Sequence, residues 1–161
     1  MMQRYIGLFG ILLLVLVGCD KKESADKITR VSGDDPKMNS AIAKSRANVN
    51  TFITALKSPK PGQTGFSVKK PFSEGEEVEH IWLTDVTYDG SQFVGLVGND
   101  PEVVKSVKFG EKTMVAPGEI SDWMFIDNRR LVGGETLRVL RDGMSAAERA
   151  KFDRSVPFTV D

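Results

Sequence analysis

Few side chains in this chain are equipped for chemistry, and the inventory narrows the choice of reactions before any element is drawn. Cys19 is the single cysteine and His80 the single histidine. A zinc site of the common type needs several Cys or His ligands, and a thiol redox centre needs a CxxC pair, so neither pattern is present. A Ser-His-Asp triad would have to use His80. That residue sits mid-strand between Glu79 and Ile81, whereas a working base usually stands at a strand end facing a cleft; a structural histidine is the expectation. The glycines at 95, 98, 110, 133 and 134 have neither the GK[ST] ending of a phosphate loop nor a strand-to-helix GxGxxG run, and read as turns. Asn99-Asp100-Pro101-Glu102 lacks the spacing of an EF-hand and reads as a helix cap. No catalytic residue, metal ligand or cofactor is therefore assigned.

The carboxylates and tryptophans offer more. Asp85, Asp100 and Asp122 are candidates for paired acid–base work, although spacing alone selects no pair. Trp82 is followed by Asp85, and Trp123 is preceded by Asp122. If the two strands carrying them meet at one rim, Trp82, Asp85, Asp122 and Trp123 form an aromatic floor edged by carboxylates, a composition suited to recognition. The competing expectation is that Trp123 fills the core while Asp122, by alternation, points to solvent.

Cys19 carries a different chemistry. The apolar run Ile6 to Val17 is about a dozen residues, short of the roughly 20 that span a bilayer as a helix. With Arg4 before it and small residues after, it reads as a secretory signal covering residues 1–18. Leu16-Val17-Gly18-Cys19 matches the lipobox of bacterial lipoproteins, which makes the thiol the attachment point for acyl chains such as palmitate. Each buried methylene contributes about 0.8 kcal/mol and two or more chains anchor stably, so a permanent membrane attachment is expected. Asp20 resembles the inner-membrane retention signal of enteric-type lipoproteins, which favours the periplasmic face of the inner membrane over the outer membrane. With Cys19 lipidated, no thiol remains for a disulfide. Removal of Arg4 with the signal leaves 21 basic side chains against 22 acidic, a net charge of −1 and no footprint for nucleic acid.

Residues 19–34 are polar and mixed in charge after the cysteine, a tether. Residues 35–161 then read as a single domain. Asp35-Pro36 opens a helix whose apolar residues Met38, Ala41, Ile42, Val49, Phe52, Ile53 and Leu56 recur at three- and four-residue spacing up to Ser58-Pro59. The period then changes to two. Phe66, Val68 and Phe72 mark one strand; Val78 to Val86 reads as a central strand with apolar residues on both faces; Asp89-Gly90 turns into Phe93 to Val97. Asn99-Asp100-Pro101 predicts a short helix presenting Val103, Val104 and Val107 and stopped at Gly110. Lys112 to Ala116 and Ile120 to Ile126 read as further strands, with a turn at Asp127-Asn128 and a break at Gly133-Gly134. Thr136 to Leu140 fits a short helix, and Ser145 with Glu148 is a capping box for a last helix through about Phe152. The expected class is α+β: a small, strongly curved antiparallel sheet, with a barrel-like arrangement as an option, the first helix packed on it and short helices at the C-terminus.

DPKMNSAIAKSR, EHIWLTDV, GNDPEVVKSVKFGEK, ISDWMF and LVGG occur here in the order that resembles the bacterial DUF2314 family, with its YegJ-like members, over Asp35 to Arg141. The resemblance implies a domain and no particular activity, substrate or catalytic residue. The reading is thus a membrane-anchored periplasmic lipoprotein presenting a non-catalytic binding module to another envelope protein or a cell-wall component. A carboxylate-based envelope hydrolase and an immunity-type inhibitor of a toxin are the alternatives.

Overall fold

The computed structural model describes residues 35–161. The signal, Cys19, Asp20 and the tether lie outside the described residues. Asp35 caps the first helix, α1 (Pro36–Ala47), accepting from the amides of Lys37 at 2.8 Å and Met38 at 3.3 Å. The expected single helix is two: α2 (Val49–Lys57) follows after a break at Asn48. The Asn48 amide donates back to the Lys44 carbonyl at 2.9 Å, a side chain competing with the helical ladder. The break lets each piece aim its own buried residues: α1 buries Ala41 and Ser45, α2 buries Phe52.

Six antiparallel strands follow: β1 (Gln63–Glu74), β2 (Glu77–Tyr88), β3 (Phe93–Val97), β4 (Lys112–Val115), β5 (Asp122–Asp127) and β6 (Arg130–Gly133). They form one sheet in the order β4-β3-β2-β1-β5-β6, which is not closed. The α+β class and the curved antiparallel sheet are as expected, and the barrel option is not realised. Two bulges bend the sheet, between Thr64 and Ser67 in β1 and between Thr84 and Thr87 in β2. In the second, Asp85 takes φ 50°, so the buried series Ile81, Leu83 resumes at Val86 instead of Asp85. β2 is central in the sheet, but only one of its faces is buried.

The core is aromatic. Phe52 of α2, fully buried, packs 5.8 Å from Phe66, 5.6 Å from Phe93 and 5.6 Å from Trp123 between ring centroids, over Val68, Ile81, Leu83, Val97 and Val115. The expected helix at 101–110 is absent: the segment is irregular, yet Val104 and Val107 are buried. Its amides go to carboxylates of the β1–β2 hairpin. Glu79 accepts from the amides of Glu102, Val103 and Val104 at 2.9, 2.9 and 3.1 Å, and Glu74 accepts from Lys105 and Ser106. Charged acceptors across the chain have replaced the i→i−4 bonds that a helix would use.

β6 is an addition to the expected elements, joined to β5 through Asn128 and Arg129 at φ 47° and 69°. α3 (Glu135–Asp142) and α4 (Ala146–Ser155) take up the expected C-terminal helices, α4 with both halves of the Ser145/Glu148 capping box.

Candidate functional site

Trp123 and Asp122 occupy adjacent positions and opposite faces of β5. Trp123 is in the core, beside Phe52 and Phe125, and its indole N–H donates to the Ser45 carbonyl at 2.8 Å. Asp122 has no exposed surface, so neither the rim nor the solvent position expected for it is realised. The alternation is as expected; what the periodicity does not carry is that residues of α1 and α3 close over the other face at this point. Oδ1 accepts from Ser45 Oγ at 2.7 Å and from the amides of Trp123 at 2.8 Å and Glu135 at 3.2 Å. Oδ2 accepts from the Thr136 amide at 2.8 Å and its hydroxyl at 2.7 Å. Gly134 at the N-cap of α3 has no side chain to cap it, and Asp122 does so from the strand.

The strand register shows how much of the expected rim is assembled. Trp82 pairs with Lys69, and Lys69 with Asp122, so these three form a cross-strand row on the outer face. Leu83, Val68 and Trp123 form the next row, on the core face. Asp85 lies in the bulge, exposed. Trp82 and Asp122 therefore share a face without sharing a surface, and Trp123 is on the other side.

An exposed patch remains around Trp82. The Lys69 ammonium stands 5.4 Å from the centroid of its ring. Val78 and Met114 are 51% and 54% exposed on the same face, which Val94 and Leu96 also line, half-buried. Burial lowers the pKa of Lys69, partly opposed by the charge of Asp122. His80 keeps an exposed surface on this face, but neighbouring side chains partly desolvate its ring and lower its pKa, and the charges of Lys69 and Arg46 lower it further. Lys69 and Arg46 carry the electrostatics here, while Lys70 points to the opposite face of β1, an alternation that KKP at 69–71 hinted at in the sequence. Among the described residues no group of three His, Cys, Asp or Glu side chains is placed to hold a metal ion, and no helix is long and apolar enough to cross a membrane.

Such an arrangement defines a small α+β domain whose conspicuous carboxylates are internal fasteners and whose open sheet face carries a tryptophan and basic groups. The chain belongs to the family described as "Uncharacterized protein conserved in bacteria (DUF2314)", whose model matches residues 35–159. It is similar to the uncharacterized protein YegJ of Escherichia coli (strain K12), 31% identical over 136 residues, which cover 84% of this chain and 86% of that protein. It is also similar to a putative ankyrin repeat protein of Neisseria meningitidis serogroup B (strain ATCC BAA-335 / MC58), 38% identical over 90 residues, 53% of this chain and 36% of that relative. No solved structure matches.

Proposed function

We propose that this chain is a lipoprotein held through Cys19 on the periplasmic face of the inner membrane, with a non-catalytic domain that binds another envelope protein or a wall component. The observation that carries the binding reading is the outer sheet face, where Trp82 lies half-buried under the Lys69 ammonium and Val78 and Met114 are exposed elsewhere on the same face. A half-buried tryptophan pre-ordered by a cation, on a face that also exposes apolar side chains, has the makeup of an interface anchor. Asp122, which the hydrolase alternative needs exposed, spends its oxygens on five internal hydrogen bonds. The test is site-specific photocrosslinking in intact cells. A crosslinker at Trp82 or Met114 should capture one identified envelope component, and a crosslinker at exposed Asn50 on α2 should not. Equal capture from all three positions, or none from the sheet face, overturns the reading.

A further inference from the structure

The sheet fails to close at a specific seam. β5 starts at Asp122 opposite Lys69, so β1 from Lys70 onward has no strand on that side. Ser121 donates its amide to the Lys69 carbonyl at 2.8 Å as the last bond of that edge. Pro71, two residues on, faces the same way and has no N–H to leave unpaired, the position in which a sheet tolerates proline. From the core side Lys70 reaches across the opening to β4, its ammonium donating to the Met114 carbonyl at 2.7 Å and to the Thr113 hydroxyl at 3.1 Å. Arg46 arrives from α1, its Nε donating to the Ile120 carbonyl at 2.7 Å. Between them lies a groove of about 460 Å³ lined by Arg46, Lys70, Pro71, Val115, Gly118 and Glu119.

The charges around this groove are unbalanced. Arg46, Lys69 and Lys70 form no ion pair among the described residues. Glu119 is the acid of the lining, and its carboxylate turns toward the Ala116 amide of its own loop at 3.4 Å. Asp122, the nearest buried carboxylate to Lys69, has its oxygens engaged elsewhere. We propose that the seam is a binding site for an oxyanion, a carboxylate or phosphate group, with Arg46 and Lys70 contacting it and Lys69 as flanking charge. With Nε committed to Ile120, the two terminal nitrogens of Arg46 are left to make the paired bonds that planar oxyanions accept. A partly enclosed groove strengthens such contacts relative to open water. The site requires neither the lipid anchor nor a protein partner.

His80 reports on it, because it is the single histidine and gives one set of imidazole signals. The full chain in neutral detergent micelles would be titrated with sodium phosphate and, separately, sodium acetate, with ionic strength held constant by sodium chloride. Saturable movement of the Arg46 Nε–H and His80 signals with either anion supports the site; phosphate alone assigns it to phosphoryl groups, and both assign it to carboxylates as well. Bound anion should raise the pH at which His80 titrates, since it offsets the charges that lower it. Arg46→Gln and Lys70→Gln should each weaken the response about tenfold or more, and Lys151→Gln on α4 should leave it unchanged. Circular dichroism confirms that each variant is folded. A drift that chloride reproduces, or saturation unaltered in folded Arg46→Gln and Lys70→Gln, overturns the proposal.

Discussion

Replacing Asp122 with alanine should destabilise the domain severely, and the size of the loss follows from its surroundings. The carboxylate is fully buried and accepts five hydrogen bonds from three elements: Ser45 of α1, the start of β5, and Glu135 and Thr136 of α3. Ser45 and Thr136 are themselves 1% and 2% exposed, so water does not readily replace the lost acceptor. Each orphaned buried donor costs about 1–3 kcal/mol, the two hydroxyls at the low end because they can rotate. No longer having to desolvate a carboxylate offsets part of this, leaving a net loss of about 3–5 kcal/mol. Against a typical domain stability of about 5–15 kcal/mol that is a large fraction, and it should lower Tm by about 10 °C or more in a circular dichroism melt. Asp122→Asn separates causes. It keeps the volume but turns an NH2 toward donors, so it should remain several degrees below the parent. A drop of less than about 3 °C for alanine, or full rescue by asparagine, would refute the capping argument.

Glu79 links stability to acid. Burial pushes its pKa up, but the amides of Glu102, Val103 and Val104 and the charge of Lys105 together lower it below the ordinary 4.5. Its contribution is complete above that value and is lost as pH falls through the lower folded one, so Glu79→Gln should cost about 1–3 kcal/mol at pH 7 and less at pH 3, read from urea midpoints. Gly133 sits at φ 74°, and an added Cβ would come within 2.6 Å of the Trp123 ring. Gly133→Ala should therefore cost roughly 2–4 kcal/mol, with faster amide exchange in β6; unchanged exchange would contradict this. Cys19→Ser should abolish incorporation of a fatty-acid analogue, and labelling equal to the parent would exclude lipidation there. Asp20→Ser should shift some protein to the outer-membrane fraction, and an unaltered distribution would remove Asp20 as the sorting signal.

What was legible in the sequence was local. The Asp35-Pro36 helix start and the Ser145/Glu148 box are short-range devices, complete within four residues, and both stand as expected. The Asn48 break was hidden because apolar spacing runs through it, while the competing side-chain bond is a property of one residue. The segment after Asn99 carried a sound helix signal, but Glu79 and Glu74 supply its acceptors from 23 to 32 residues away. Tertiary partners of this kind override local propensity, and here they hold a segment that buries Val104 and Val107. Asp122 is the extreme case, with Ser45 at a separation of 77 residues and Thr136 at 14.

Pro71 shows that the distinction between local and distant signals is not the whole explanation. A proline inside a run that otherwise reads as a strand says that one side of that strand lacks a ladder partner. β1 does have partners on both sides, but only up to Lys69; beyond it the strand is an edge, and the proline marks the change to within two residues. Edges of this kind are usually blunted against pairing with other chains, and proline with flanking lysines is a common way to do so. Lys70 serves that end by crossing to the Met114 carbonyl, which occupies a β4 acceptor next to the opening. The residues that keep another strand out are thus the ones that leave a basic groove in its place.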